Sequence, residues 1–268
     1  REKEGPETSA AVIGKEKVAA DVVGSAYLGT VYSLGEDYTF DIEEGLVAYW
    51  RFEGNAKDSS GKGNDGAIHG DIQFVDGNRG KALEDGNNGY IIINPISNEL
   101  ADTLKEKDFS IAFFWTPFWK GYYDPNTNWR DIVSFYHKPP SGISGHFRFE
   151  HGVDSSDKVG IWFGGTRSDN GNNAIYKNYF LDYGEENYYV AICDRTNNEL
   201  RVYINGEEAS SEWAITPGGE NSCETKTSVW DFKFFQNNLT GEKLDEVMIY
   251  DRALSAEEIK NLYDIQKD

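Results

Sequence analysis

Oxygen-rich turns, exposed rings and one mixed-charge strand are the parts of this chain with chemistry to offer. Glu53 to Gly70, EGNAKDSSGKGNDGAIHG, gathers asparagine, aspartate, serine and glycine into one stretch and is expected to be a loop. Its carboxylate, amide and hydroxyl oxygens match the donor set of a hard cation, and calcium takes roughly 6 to 8 of them. The competing reading is that Asp58 and Asn64 only make Asx turns with their own backbone. No D-x-[DN]-x-[DN]-G run is present to decide between the two.

A second constellation is aromatic. Phe118 to Trp129, FWKGYYDPNTNW, sets Trp119, Tyr122, Tyr123 and Trp129 among turn formers, in what is expected to be a long loop. Such rings can pack on the apolar faces of sugars, or they can simply cover the loop. A third is the strand His146 to Glu150, where Phe147 and Phe149 point one way and His146, Arg148 and Glu150 the other. With His137 and His151 near in sequence, that polar face could bond hydroxyls or be an ordinary solvated face. The four histidines show no HExxH-like spacing for zinc. Neither a G-x-S-x-G elbow nor a P-loop appears.

Cys193 and Cys223 are the only two cysteines. A bridge between them would close a loop of about 30 residues and contribute about 3 to 4 kcal/mol in the loop-entropy model. It needs an oxidising compartment and suitable geometry, which the sequence leaves open.

The formal net charge of −20 repels phosphate backbones and anionic lipid, which excludes nucleic acid as the expected partner and makes cations the natural counterpart. The acidic surface can equally serve solubility alone. Twenty-eight glycines, sixteen tyrosines, fifteen phenylalanines and a single methionine favour a sheet protein with tight turns and aromatic pleats. No apolar run reaches the roughly 18 residues of a membrane span. The chain opens at Arg1 with neither methionine nor signal peptide, as a processed or trimmed chain would.

The elements that must position these groups are mostly short strands. Arg1 to Thr8 reads as a charged tail. From residue 10 to 34 an apolar face recurs at helical period, but Gly14, Gly24 and Gly29 weaken a helix, so a helix and an extended arm both stand. Residues 1–44 are thus an N-terminal arm, and 45–268 the globular domain. Strands are expected at Leu46 to Phe52, Tyr90 to Ile93, Phe109 to Trp115, Asp131 to Tyr136, His146 to Glu150, Val159 to Phe163, Asn187 to Cys193, Glu199 to Ile204 and near Phe232. Trp115, Trp162 and Trp230 are assigned to the core. Asn205-Gly206 is a hairpin signal. The last strand, Leu244 to Tyr250, runs into a helix capped by Ser255 and Glu258 and stapled by Leu254 and Ile259.

Four segments taken together, LVAYWRFEGNAKDSSGKGNDGAIHG, FSIAFFWTP, YYVAICDRTNNELRVYINGE and LDEVMIYDRALSAEEIKNLY, resemble the laminin-G-like group of concanavalin A-like domains, over about Gly45 to Tyr263. The resemblance implies an all-β jelly roll of two antiparallel sheets, with first and last strands adjacent and a frequent calcium site at the rim. That adjacency brings Glu53 toward Asp245, which interrupts an otherwise apolar pleat face, and Glu53, Asp58, Asn64 and Asp245 become the candidate calcium ligands. Similar domains often bind glycans, at the concave sheet or the rim. The fold also includes glycoside hydrolases with an E-x-D-x-x-E strand, but FDIEE at Phe40 is the nearest run and lacks the leading glutamate.

The expected function is an extracellular, non-catalytic recognition or adhesion protein that binds glycans or a surface partner, with structural calcium. A subunit of a surface filament or coat, docking residues 10–34 into another copy, is the alternative; a hydrolase or lyase ranks below both.

Overall fold

A computed structural model of the chain describes residues 17–19, 30–33, 39–86, 88–118, 129–137, 145–153, 159–166, 172–179, 184–210, 214–215, 220–221, 223, 229–236 and 241–267. It divides into two compact units, Arg1–Glu44 and Gly45–Asp268.

In the first unit, β1 (Lys17–Ala19), β2 (Thr30–Ser33) and β3 (Thr39–Asp41) form a three-stranded antiparallel sheet. The helical alternative for residues 10–34 is therefore corrected where the segment is described. β-Branched Val18, Thr30 and Val31 lose little on a pleat, while the glycines between them break a helix.

The second unit runs β4 (Leu46–Trp50), β5 (Ala67–His69), β6 (Ile72–Gly77), β7 (Gly80–Asp85), β8 (Tyr90–Ile93), α1 (Asn98–Glu106), β9 (Phe109–Thr116), β10 (Trp129–His137), β11 (Gly145–Val153) and β12 (Val159–Thr166). It continues through β13 (Asn172–Tyr179), β14 (Asn187–Asp194), β15 (Glu199–Ile204), β16 (Glu207–Glu208), β17 (Ala214–Ile215), β18 (Val229–Gln236), β19 (Lys243–Tyr250) and α2 (Ala256–Gln266). One sheet has the order β17-β13-β12-β11-β10-β18-β8-β5 and the other β16-β15-β14-β9-β19-β7-β6, with β4 also paired to β19. This is a two-sheet antiparallel jelly-roll sandwich.

Alternation fills the core as expected. Phe109, Ile111, Phe113 and Trp115 of β9 meet Phe147, Phe149, Phe232 and Phe234 of the facing sheet in one buried cluster. Phe135 stacks on Phe147 at 5.1 Å, and Trp50 on Phe232 at 5.6 Å, geometries that add to the area these rings bury. First and last strands are neighbours, with Val247 opposite Trp50 and Ile249 opposite Ala48. Asn205 and Gly206, both at positive φ, turn β15 back onto β16, as their sequence demands. Both halves of the Ser255–Glu258 capping box form at the start of α2, and Leu254, Ile259 and Leu262 are buried beneath it. Cys193 and Cys223 are bridged, with Cα atoms 5.3 Å apart, tying β14 to the segment ahead of β18.

Several expectations need correction. Ala67–His69 is a strand inside the stretch expected to be loop, because it pairs with β8. The β6–β7 hairpin, β13 and α1 lack a strong periodic signal and appear only through their partners. α1 starts at a Ser97 cap whose own amide donates to Asn64 Oδ1 at 2.8 Å, a tie no local pattern shows. Trp162 is buried, but on the side of β12 opposite Ile161 and Phe163, outside the sandwich core. The Trp230 side chain lies outside the described residues.

Candidate functional site

The outer face of the eight-stranded sheet, turned away from the core, carries the mixed-charge strand. Arg148 and Glu150 of β11 point out while Phe147 and Phe149 point in. Their cross-strand partners are Ser134 and Asp131 of β10 on one side and Gly164 and Trp162 of β12 on the other. Beyond these, Ser134 is opposite Lys233 of β18, and Trp162 opposite Tyr176 of β13. Directly opposed residues share a face, so five strands bring these groups together.

The face is not the solvated one that its polarity allows. Glu150 is 2% exposed, Asp131 1% and Ser134 0%, which puts two carboxyls and a hydroxyl in a dry setting. Burial pushes the Glu150 carboxyl up to about 8, while Arg148 pulls it down and Asp131 pushes it up again. Asp131 stands directly opposite Glu150 across the β10–β11 pair, so its charge adds to the upward push. Arg148 Nε lies 2.7 Å from Glu150 Oε2, and its guanidinium sits 5.0 Å over the Trp162 ring. Lys233 Nζ stands 3.8 Å from Asp231 Oδ2, and burial raises the Asp231 carboxyl above its usual range. Two groups keep unused capacity: Ser134 Oγ and Asp231 Oδ1 are buried without a hydrogen-bond partner. Buried polar atoms are ordinarily satisfied, so these two stand out. Chemically, the face offers two cations, three carboxyls and a hydroxyl, a mixture of donors and acceptors.

A second acidic region lies at the seam of β4 and β19. Asp245 and Glu246 are both buried, and Glu246 takes φ 50°. The register of β19 against β9 slips between Asp245 and Met248, so Asp245 leaves the apolar face and stands opposite Phe114. Arg79 lies with its guanidinium 3.4 Å over the Phe114 ring, 3.6 Å from Asp245 and 2.6 Å from Glu186. Arg51 approaches Glu246 at 3.7 Å and Glu53 at 3.9 Å, and the Tyr49 hydroxyl donates to Glu246. Burial, then the Glu246 charge, pushes the Asp245 carboxyl up to about 8.

Each of the four expected calcium ligands has partners within the protein. Asp58 Oδ1 accepts from the Tyr49 and Ser60 amides and the Ser60 hydroxyl, and its Oδ2 from the Asn64 amide and side chain. Asn64 spends its own side chain on Val47, Asp58 and Ser97. Glu53 accepts from the Lys81 amide, and Asp245 faces Arg79. Among the described residues, no group of three or more His, Cys, Asp or Glu is placed to hold a metal. At this corner the arginines supply the positive charge.

Trp119, Tyr122 and Tyr123 lie outside the described residues, as does the sequon Asn238-Leu239-Thr240. Trp129 is described only as the first residue of β10. His146 opposes Tyr136 and His137 opposes Gly145 in the β10–β11 ladder. His151 turns inward instead: its Nε2 lies 2.7 Å from Glu242 Oε1, and its ring packs 4.9 Å from Trp115, whose indole donates to Glu242 Oε2 at 2.7 Å. Sequence reasoning found Arg148 and Glu150 but missed Asp131, Ser134, Trp162 and Lys233, which belong to other strands; only the strand register could have joined them.

The fold is shared with known proteins. The family model described as the concanavalin A-like lectin/glucanases superfamily matches residues 85–260. No curated protein matches the sequence. Among solved structures, the binding domain of botulinum neurotoxin serotype G superposes with a TM-score of 0.59 at 22% identity, over 83% of this chain and 51% of that one. The binding domain of botulinum neurotoxin DC in complex with SialylT gives 0.58 at 16% identity, over 84% and 52%. Domain 4 of AbnA, an extracellular arabinanase of Geobacillus stearothermophilus, in complex with arabinotriose, gives 0.55 at 19% identity, over 81% and 98%. This chain thus spans about half the length of the neurotoxin domains and nearly all of the arabinanase domain.

Proposed function

The chain belongs to the concanavalin A-like lectin/glucanases superfamily, and on that premise we propose that it is a non-catalytic recognition module that binds a glycan on the outer face of its eight-stranded sheet. The observation that carries this reading is the row Lys233–Ser134–Arg148 beside Asp131–Glu150, where a buried hydroxyl and a carboxylate oxygen keep bonding capacity that nothing in the described protein uses. Mixed donors and acceptors suit sugar hydroxyls, whereas the net charge of −20 opposes polyanions. The arabinanase domain, nearly all of which this chain matches, was solved in complex with arabinotriose, which supports the class of ligand.

Recognition without hydrolysis is supported by the solved structures of similar fold, which are themselves binding domains. The Cys193–Cys223 bridge fits an oxidising, extracellular or cell-surface setting. Among the described residues no helix is long and apolar enough to cross a membrane.

The test is binding to an oligosaccharide array that includes arabinotriose and sialylated chains, followed by calorimetry on whatever binds. Ser134→Ala is expected to weaken binding about fivefold to tenfold, the worth of one or two hydrogen bonds, while leaving the fold intact. Wild-type affinity in Ser134→Ala and Arg148→Met, or a blank array, would sink the reading.

A second reading, self-assembly into a filament or coat, is favoured by the three-stranded unit, in which β1 and β3 are edge strands among the described residues, and edge strands are templates for pairing with another chain. Sedimentation of the full chain against residues 45–268 decides it. Assembly lost on deletion supports this reading, and a full chain that stays monomeric at high concentration removes it.

A further inference from the structure

The proposed glycan face continues beyond the row already described. Lys233 of β18 is opposite Ile92 of β8, and Ile92 opposite Ala67 of β5. Two residues along β8 on the same pleat stands Tyr90, opposite His69. From Ile92 the strand heads toward Tyr90 as β18 heads from Lys233 toward Gln236, which is the partner of Asp131. Tyr90 therefore lies at the Asp131–Glu150 side of the face, three strand spacings from Glu150, about 14 Å.

The His69 and Tyr90 rings are stacked, 4.8 Å between centroids and 8° from parallel. Unlike the core rings, this pair reaches water: His69 is exposed and Tyr90 half-buried. Stacking covers one face of each ring and leaves the other open. Two close backbone contacts hold the platform still. Gly70, at φ 70°, and Gly89 pack so tightly against Asn88 and Asp71 respectively that neither has room for a Cβ, and the Gly86 amide donates to Asp71 O at 2.6 Å. Rings fixed in advance lose little freedom when a ligand arrives.

We propose that His69 and Tyr90 form a second sugar-binding subsite, which stacks a neutral ring of the same glycan whose hydroxyls bond Ser134, Arg148 and Asp231. The inference rests on the glycan reading and adds a length to it: the ligand is an oligosaccharide that reaches across about 14 Å of sheet, not a single ring. An uncharged ring suits the place, since stacking on an aromatic face is paid by apolar C–H surface rather than by ion pairing.

The experiment uses the full chain and an immobilised series of neutral linear oligosaccharides of one to six rings, with affinities from surface plasmon resonance. For the wild type, affinity is expected to rise with length and then level off. In His69→Ala/Tyr90→Ala the longer members should lose about tenfold and the shortest nothing. Tyr90→Leu, which keeps bulk without a ring, should lose nearly as much, and unchanged melting curves establish that both variants fold. Equal losses at every length, or no loss at any, overturn the subsite while the glycan reading stands. A wild type that binds no member of the series and no chain on the array overturns both.

Discussion

Two of the regions that bury carboxylates handle them in opposite ways. At the β4–β19 seam, Asp245, Glu246, Glu53 and Glu186 meet Arg79, Arg51 and Tyr49, so each acid faces a cation or a hydroxyl donor. On the outer face of the eight-stranded sheet, Asp131 and Glu150 stand opposite each other beside one arginine, and Ser134 Oγ and Asp231 Oδ1 keep no hydrogen-bond partner. The first is a network of ion pairs that joins strands; the second leaves a hydroxyl and a carboxylate oxygen unbonded.

The largest expected effect breaks the ion-pair network. Arg79→Met removes the guanidinium that lies between Phe114, Asp245 and Glu186, and should cost about 3 kcal/mol, since the Glu186 carboxylate loses its ion pair and the Phe114 ring its stacked cation. Arg148→Met should cost about 1 to 2 kcal/mol, because burial raises the Glu150 carboxyl to about 8 and so weakens its pairing with Arg148 at neutral pH. Urea melts of the two variants measure the gap, and equal losses would erase the distinction between the regions.

The pH dependence sharpens it. Asp245 holds its proton in the folded chain up to about pH 8 and releases it near its ordinary value of 3.8 when unfolded. Between those values the folded state binds more protons, so its stability falls as pH rises, by at most about 1.4 kcal/mol per unit for one such group. Glu150 acts in the same direction from 4.5 to about 8. Urea midpoints should therefore decline from pH 5 to pH 8. Asp245→Asn should flatten the slope and stabilise the chain at the alkaline end; an unchanged slope would show that this acid is ionised in the fold.

The smallest effect expected is none. With Asp58 and Asn64 committed to backbone amides and Asp245 to Arg79, a chelator should leave the melting temperature where it was. A fall on chelation, restored by calcium, would place a cation outside the four residues tested against it.

Much of the sandwich was legible in the sequence. Alternation in FSIAFFW, the Asn-Gly turn and the Ser255–Glu258 cap are local, and their residues act within one or two turns of chain. The seam between β4 and β19 was legible too, through the resemblance. Less of the candidate site could be read, since Arg148 and Glu150 sit on one strand whereas their partners come from β10, β12 and β18.

Two bulges account for the rest. Counting alternate residues back from Phe135 and Val133 gives Asp131 the core side, but the slip at Ile132 turns it out to meet Glu150. The same count along β19 puts Asp245 on the apolar pleat with Val247 and Ile249, until the slip at Glu246 carries it to Arg79. The sequence by itself determined which segments are strands, where they turn and which rings fill the core, because a side-chain period of two and a few turn residues are local properties. Only the tertiary structure decided which charges meet. One inserted residue reverses every facing before it, and the place of that insertion is chosen by the packing of neighbouring strands.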